Sequence, residues 1–456
     1  MWSRSREVLS LAAGVAGHEL ARSMRAKLTW STEQLAKVDV AARVAQATLL
    51  AESLGRLKGA FMKAGQLLSI DASDILPPEA QRVLASLQGE AEPVPFSEVR
   101  AVLSEDLGED KVAMLEALEE RAAACASIGQ VHRAVVHGIP VALKVQHRGI
   151  RETIDADLEL VHKVAKGWLS VSRRPIDLRA TFEELSRILH LEADYERERI
   201  FLERFGELLG EDPRFVVPQS FPMLSSSRVL TMTWEDGVTL GAWARRSPPR
   251  EERQRLATSL LDLYCKEFFE WGLVQTDPNF GNFLIRDGAR EIVLLDFGAT
   301  IVYDPAFRGR YVELLRAMSG GSEAEMVAAG IANGLLDARE DADTRSLFAS
   351  MMRVSLEPFQ AARQPFSFAD ADYAARSRDV VLHFTERLRF SPPPRDLLFL
   401  HRKLGGLFQL LKRLDVTLDL SPYWEKMVVG GRQLGASSSA AASPLVNASS
   451  TRSPRQ

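Results

Sequence analysis

At 456 residues the chain is too long for one small core and fits one to three domains. It is 46% hydrophobic and 26% charged with a net charge of −4, which argues against bulk nucleic-acid binding, since that work leaves a basic excess. Two cysteines, Cys125 and Cys265, cannot build a disulfide framework and suit a reducing compartment, and the eight histidines fall at no metal-ligand spacing. No apolar run approaches the roughly 18 to 20 residues that span a bilayer. The sequence therefore reads as cytoplasmic, either soluble or peripheral at an inner-membrane surface, with no transmembrane helix.

Residues 1–40 open with the basic side chains of Arg4, Arg6, Arg22, Arg25 and Lys27 against Glu7 and Glu19. They read either as an amphipathic helix on a membrane surface or as a solvated terminus. The two acids count against a mitochondrial presequence. A helical extension is expected over 41–115. Within it Leu50, Leu54, Leu57, Phe61, Ala64 and Leu68 recur at steps of four and three, giving one apolar stripe. Pro77-Pro78 opens a further helical stretch to Leu87, Glu92 to Pro95 reads as a connector, and Phe96 to Leu107 reads as a short helix.

Residues 116–236 change character. An alanine-rich run leads into Ile128-Gly-Gln-Val131, then Val135-Val136, a turn at His137-Gly138, and Val141-Ala-Leu-Lys-Val145, the pattern of a β-hairpin. Helical signals follow at 151–172 and 178–210, then a strand at Arg228 to Thr233. From 237 to 435 the chain is mostly helical, apart from one loop and one strand. Residues 436–456, rich in Ser and Ala, read as a disordered tail.

That loop is Gln275-Thr-Asp-Pro-Asn-Phe-Gly-Asn282, and the strand Ile292 to Leu295 leads into Asp296-Phe-Gly298. An aspartate, an asparagine after four intervening residues and then Asp-Phe-Gly is the spacing of phosphoryl-transfer sites in protein-kinase-like folds. Asp277 is placed to orient or deprotonate an attacking hydroxyl or water. Asn282 and Asp296 offer oxygen ligands that suit hard Mg²⁺. Strands first and helices later fits the same α+β fold of two lobes.

Lys144 lies in an apolar strand, where an ammonium is expensive without a partner. It is either an edge-strand lysine facing solvent or a group that holds ATP phosphates. Ala124-Cys-Ala-Ser-Ile-Gly129 has the spacing of a glycine-rich phosphate loop, with Ala124 and Ala126 at the first two glycine positions and Ser127 before the last. Small side chains still let backbone N–H groups approach phosphates, although alanine gives up easy access to positive φ. In Glu192-Ala-Asp194-Tyr-Glu-Arg-Glu198, Asp194 and Glu198 sit one helical turn apart and Glu192 is offset. Lys63 and Gln66 share a helix face in Lys63-Ala-Gly-Gln66, whose glycine marks a helix end or a close approach.

Taken in order, Lys63-Ala-Gly-Gln66, Ala124 to Gln130, Val141-Ala-Leu-Lys144, Glu192-Ala-Asp194, Gln275 to Asn282 and Leu295 to Gly298 resemble the motifs of the UbiB or ABC1-type atypical kinases, the AarF-related family tied to ubiquinone biosynthesis. The likeness covers roughly 50 to 430. It implies a two-lobed protein-kinase-like fold with a helical, family-specific N-terminal extension. It also implies that Lys63 and Gln66 pack over the active site against Glu192 and Asp194, and that Glu198 partners Lys144. ATP and Mg²⁺ are the implied cofactors. Quinone precursors, membrane lipids and quinone-biosynthesis enzymes are the implied partners, with a mitochondrial-matrix location if the source is eukaryotic.

Three departures stand out. The loop begins Gln275-Thr276 where a His-led pair is usual, no Ala-Pro-Glu closes an activation segment after Asp296, and no C-terminal hydrophobic anchor is present. The leading expectation is an atypical kinase or ATPase supporting isoprenoid-quinone synthesis. Its rivals are a kinase acting on a protein or small molecule and a nucleotide-sensing scaffold without turnover.

Overall fold

The structure, a computed structural model, describes residues 93–126, 128–156, 158–159, 162, 179–277, 279–388, 390 and 395–429. Lys63, Gln66 and Ser127 lie outside them, as do the basic segment 1–40 and the tail 436–456. Two compact units divide the chain after Asp236, with Leu294–Ala299 belonging to the first.

The first unit is built on an antiparallel sheet ordered β1 (Ala124–Cys125), β2 (Gly129–Val136), β3 (Ile139–Gln146) and β4 (Val229–Thr233). The hairpin β2–β3 closes through His137 and Gly138 at φ 51° and 79°, the left-handed pair whose twist matches that of the strands it joins. Along β3, Val141, Leu143 and Val145 pack in one cluster with Val99, Leu103 and Leu107 of helix α1 (Phe96–Leu107). Strand side chains alternate faces, so Lys144 and Gln146 point to the opposite side of the sheet. There Gln146 Nε2 donates to the Ala193 carbonyl at 2.6 Å. Because β3 pairs with β2 on one side and β4 on the other, Lys144 belongs to a central strand and not to an edge.

The helical signal over 178–210 resolves into two helices, α2 (Arg179–Glu192) and α3 (Tyr195–Leu209). Asp194 makes the break. Its carboxylate accepts from the Arg197 backbone N–H at 3.1 Å and caps α3, a local bond that competes with a continuous helix. The buried face of α3 carries Tyr195, Glu198, Phe201, Leu202, Phe205 and Leu209.

A buried polar chain ties β2 to the segment before α1. Gln130 Oε1 accepts from the Val94 N–H at 2.8 Å, so its Nε2 is the donor toward His132 Nε2, also at 2.8 Å. The ring must then donate from Nδ1 to the Glu119 carbonyl at 2.8 Å.

In the second unit, α4 (Arg250–Cys265) runs into a π-helical turn, Lys266–Trp271, that Gly272 ends at φ 68°. Two short strands that the sequence reading did not single out follow: β6 (Leu273–Gln275) pairs antiparallel with β9 (Thr300–Val302). In a separate sheet β8 (Glu291–Leu294), β7 (Phe283–Arg286) and β5 (Val238–Thr239) are neighbours in that order. Helices α5 (Pro305–Gly320), α6 (Glu323–Ala332), α7 (Ala342–Leu356), α8 (Ala371–Arg387) and α9 (Arg395–Arg413) follow, and a last helix spans Ser421–Val429.

Gly129 starts β2 where there is no room for a side chain. A Cβ at that position would lie 2.5 Å from the Val145 carbonyl oxygen and 2.7 Å from the Tyr195 hydroxyl. Gly129→Ala is therefore expected to lower unfolding stability by about 1–3 kcal/mol, the cost of overpacking a tight site. Urea denaturation reads this, and an unchanged midpoint would show that the hairpin simply moves aside.

Candidate active site

The centre of the first unit is a buried cation between two carboxylates. Lys144 Nζ donates to Glu198 Oε1 at 2.8 Å and Oε2 at 2.9 Å, and to Asp296 Oδ2 at 3.3 Å. The Glu198 side chain is 1% exposed and that of Asp296 30%, so the first partner is sealed and the second open to a ligand. Burial opposes the Lys144 ammonium, but Asp296 and Glu198 outweigh it and hold the pKa well above that of an ordinary lysine. The ammonium also sits 5.0 Å from the centroid of the Tyr195 ring. Burial pushes the Tyr195 phenol up, so it keeps its proton. Its hydroxyl has no hydrogen-bond partner among the described residues.

The segment carrying Asp296 is tied to α3. Phe297 N–H donates to Glu198 Oε1 at 3.4 Å, and its ring lies 5.0 Å from that of Phe205. Gly298 N–H donates to Asp296 Oδ1 at 2.9 Å, and Arg197 Nη1 donates to the Gly298 carbonyl, also at 2.9 Å. Helix α3 thus supplies one residue to Lys144 and another to the turn that orients Asp296. Glu192, the last residue of α2, has its Cα 3.7 Å from where a Cβ on Gly298 would stand.

The alanine-rich loop is a tight hairpin. Ala124 pairs with Val131, Cys125 pairs with Gln130, and Ala126 N–H donates to the Gly129 carbonyl at 2.8 Å. Neither Ala124 nor Ala126 adopts a positive φ, so the turn does not demand glycine at those two places.

In the second unit Asp277 and Asn282 come together: Asn282 Nδ2 donates to Asp277 Oδ2 at 3.1 Å. With its amide hydrogen so used, Asn282 keeps its carbonyl oxygen for a ligand. That oxygen and the open Asp296 carboxylate are hard donors of the kind Mg²⁺ takes. Among the described residues no group of three or more His, Cys, Asp or Glu side chains forms a metal cluster.

Motif reading missed several partners. Arg402, on α9, donates from Nη2 to Asp277 Oδ1 at 3.4 Å. The next residue, Lys403, pairs with buried Glu267 at 2.9 Å, and Glu267 Oε1 accepts from the Gln275 N–H at 3.3 Å. Tyr195 and Arg197 were also passed over. Their one available signal was position, since each lies between Asp194 and Glu198 on the capped helix.

The ion pair can be weighed by mutation. Glu198→Ala is expected to cost about 3 kcal/mol of stability, because a buried ammonium loses its best partner. Replacing both residues, Lys144→Met with Glu198→Leu, should recover most of that loss, since apolar side chains of similar volume commonly match a buried pair. Denaturant titration of the two variants beside the wild type tests this, and a double variant weaker than Glu198→Ala would refute it.

Comparison with known proteins places the chain. The ABC1 atypical kinase-like domain matches residues 86–329. The chain is 34% identical over 371 residues to the mitochondrial atypical kinase COQ8B of Danio rerio, covering 81% of this chain and 59% of that protein's length. To the Rattus norvegicus mitochondrial atypical kinase COQ8B it is 32% identical over 371 residues, covering 81% of this chain and 69% of the relative. Among solved structures, the complex of Rv3197 with erythromycin from Mycobacterium tuberculosis superposes with a TM-score of 0.56 at 26% identity, covering 83% of this chain and 94% of that one. The chain belongs to the ABC1 (UbiB) family of atypical kinases and has their kinase-like α+β fold.

Proposed function

We propose that the chain binds Mg·ATP and transfers or hydrolyses its terminal phosphoryl group in support of isoprenoid-quinone (ubiquinone) biosynthesis. The observation that carries the reading is Lys144 held between Glu198 and Asp296 at 2.8 and 3.3 Å. Kinase-like sites use such a lysine on the phosphates and such an aspartate on the metal. Lys144 would offset phosphate charge, while the loop of Ala124, Ala126, Ser127 and Gly129, closed by the Ala126 N–H on the Gly129 carbonyl, would bring small side chains beside the triphosphate. Asn282 and Asp296 would hold Mg²⁺, which neutralises charge developing on the phosphoryl oxygens when bound.

Asp277 takes the acceptor side. The oxygen of water or of a hydroxyl forms a bond to the terminal phosphorus, and the bond to the bridging oxygen breaks with its electron pair leaving on ADP. The acceptor's proton passes to Asp277 or to a phosphate oxygen. Lys63 and Gln66 are proposed to meet Glu192 and Asp194 and to restrict the acceptor groove. In the described residues the Asp194 carboxylate already caps α3, so such a contact would share a carboxylate that also fixes a helix end.

The quinone assignment is supported by kinship with the mitochondrial COQ8-type kinases. A surface location on a membrane is proposed from the basic residues before 30, which would favour anionic lipid. Among the described residues no helix is long and apolar enough to cross a bilayer.

Asp296→Asn is expected to abolish the thermal stabilisation that Mg·ATP gives the wild-type chain, which should amount to about 2.7 kcal/mol at a ligand concentration 100 times its Kd. Retention of that stabilisation would remove Asp296 from the metal site. Release of free phosphate from labelled ATP without a labelled acceptor would select hydrolysis, and a labelled protein or small molecule would select the kinase. In cells lacking the chain, quinone should fall and be restored by the wild type but not by Asp296→Asn. Full restoration by the variant would favour a scaffold.

A further inference from the structure

The loop between Asp277 and Asn282 contains Pro278, Asn279, Phe280 and Gly281, with no cation among them. The cation comes from elsewhere. Arg402 reaches Asp277 Oδ1 at 3.4 Å from α9, 125 residues further along the chain, and the two side chains are 11% and 10% exposed. The other oxygen, Oδ2, accepts from Asn282 at 3.1 Å. Both oxygens of this carboxylate are therefore held, one by charge and one by an amide.

The same helix grips the loop at two further points. Lys403 pairs with Glu267, whose carboxylate receives the backbone N–H of Gln275 just before the loop. Arg413 lies 5.4 Å from the centroid of the Phe280 ring inside the loop. Residues 402 and 413 are eleven apart, three turns of helix, so they project from one side of α9. The arrangement is a built support for the loop.

From this geometry we infer that Arg402 is the positioning cation of the Asp277 loop, fixing the carboxylate toward the acceptor. The inference rests on the reading of Asp277 as the acceptor-side acid–base group. A guanidinium is suited to the task because its planar fork holds a carboxylate in a defined plane. Its Nε is buried without an acceptor among the described residues, and the guanidinium meets Asp277 through Nη2.

The test is phosphate release from Mg·ATP by the full chain, with nucleotide affinity and melting temperature measured on the same samples. Arg402→Met is expected to lower kcat about 100-fold, the scale of a misplaced catalytic group, while KM and Kd for Mg·ATP stay within about twofold. Arg402→Lys should recover part of the rate, because charge returns without the planar fork. Wild-type kcat in Arg402→Met would overturn the inference. So would a loss confined to KM, or one in which Arg402→Lys falls as far as Arg402→Met. Should Arg402→Met fail to fold, Arg402→Lys decides on the same kcat and KM readout. A wild-type chain that neither hydrolyses nor transfers phosphate would instead sink the reading of Asp277, and the role of Arg402 with it.

Discussion

An ammonium buried in a central strand is the constraint on which the first unit turns. Lys144 cannot be charged there unless anions come to it, and two do, from segments 54 and 152 residues away. Bringing Glu198 to the sheet fixes the rotation of α3. Bringing Asp296 fixes the place of the Asp-Phe-Gly segment against that helix. Breaking a buried pair leaves an uncompensated charge, so the cluster acts as a lock on geometry even where its net contribution to stability is small.

The second unit solves a related problem with different parts. A loop rich in Asn, Gly and Pro has little intrinsic order, yet Asp277 and Asn282 must face each other within hydrogen-bond reach. Order is imposed from outside by α9 through Arg402, Lys403 and Arg413, and from within by Asn279, whose carboxamide accepts the Gly281 N–H at 2.9 Å. The π-turn at Lys266–Trp271 serves the same end. Glu267 lies buried within this turn and meets both Lys403 and the Gln275 N–H.

Local signals in the sequence were read well where the physics is local. The His137-Gly138 turn, the helix Phe96–Leu107 and the strand ending at Thr233 follow from turn chemistry and periodicity, and each stands in the structure within a residue or so. The kinase-like fold followed from the order of the motifs. Where a side chain chooses between a local and a regular bond, periodicity failed: Asp194 caps α3 and splits a stretch that reads as one helix. Periodicity was also silent on which acid meets Lys144. Glu192, Glu196 and Glu198 are equivalent as letters, and the family likeness alone singled out Glu198. Arg402 and Glu267 lay beyond reach because their partners are distant in sequence and neither belongs to a motif.

The chain of bonds through Gln130 and His132 carries a consequence for the strand that leaves the alanine-rich loop. One face of the imidazole receives a hydrogen and the other gives one, so a single tautomer of the neutral ring satisfies both neighbours. The start of the described chain is thus fastened to β2 by a clasp whose two ends a single arrangement of the ring protons satisfies together.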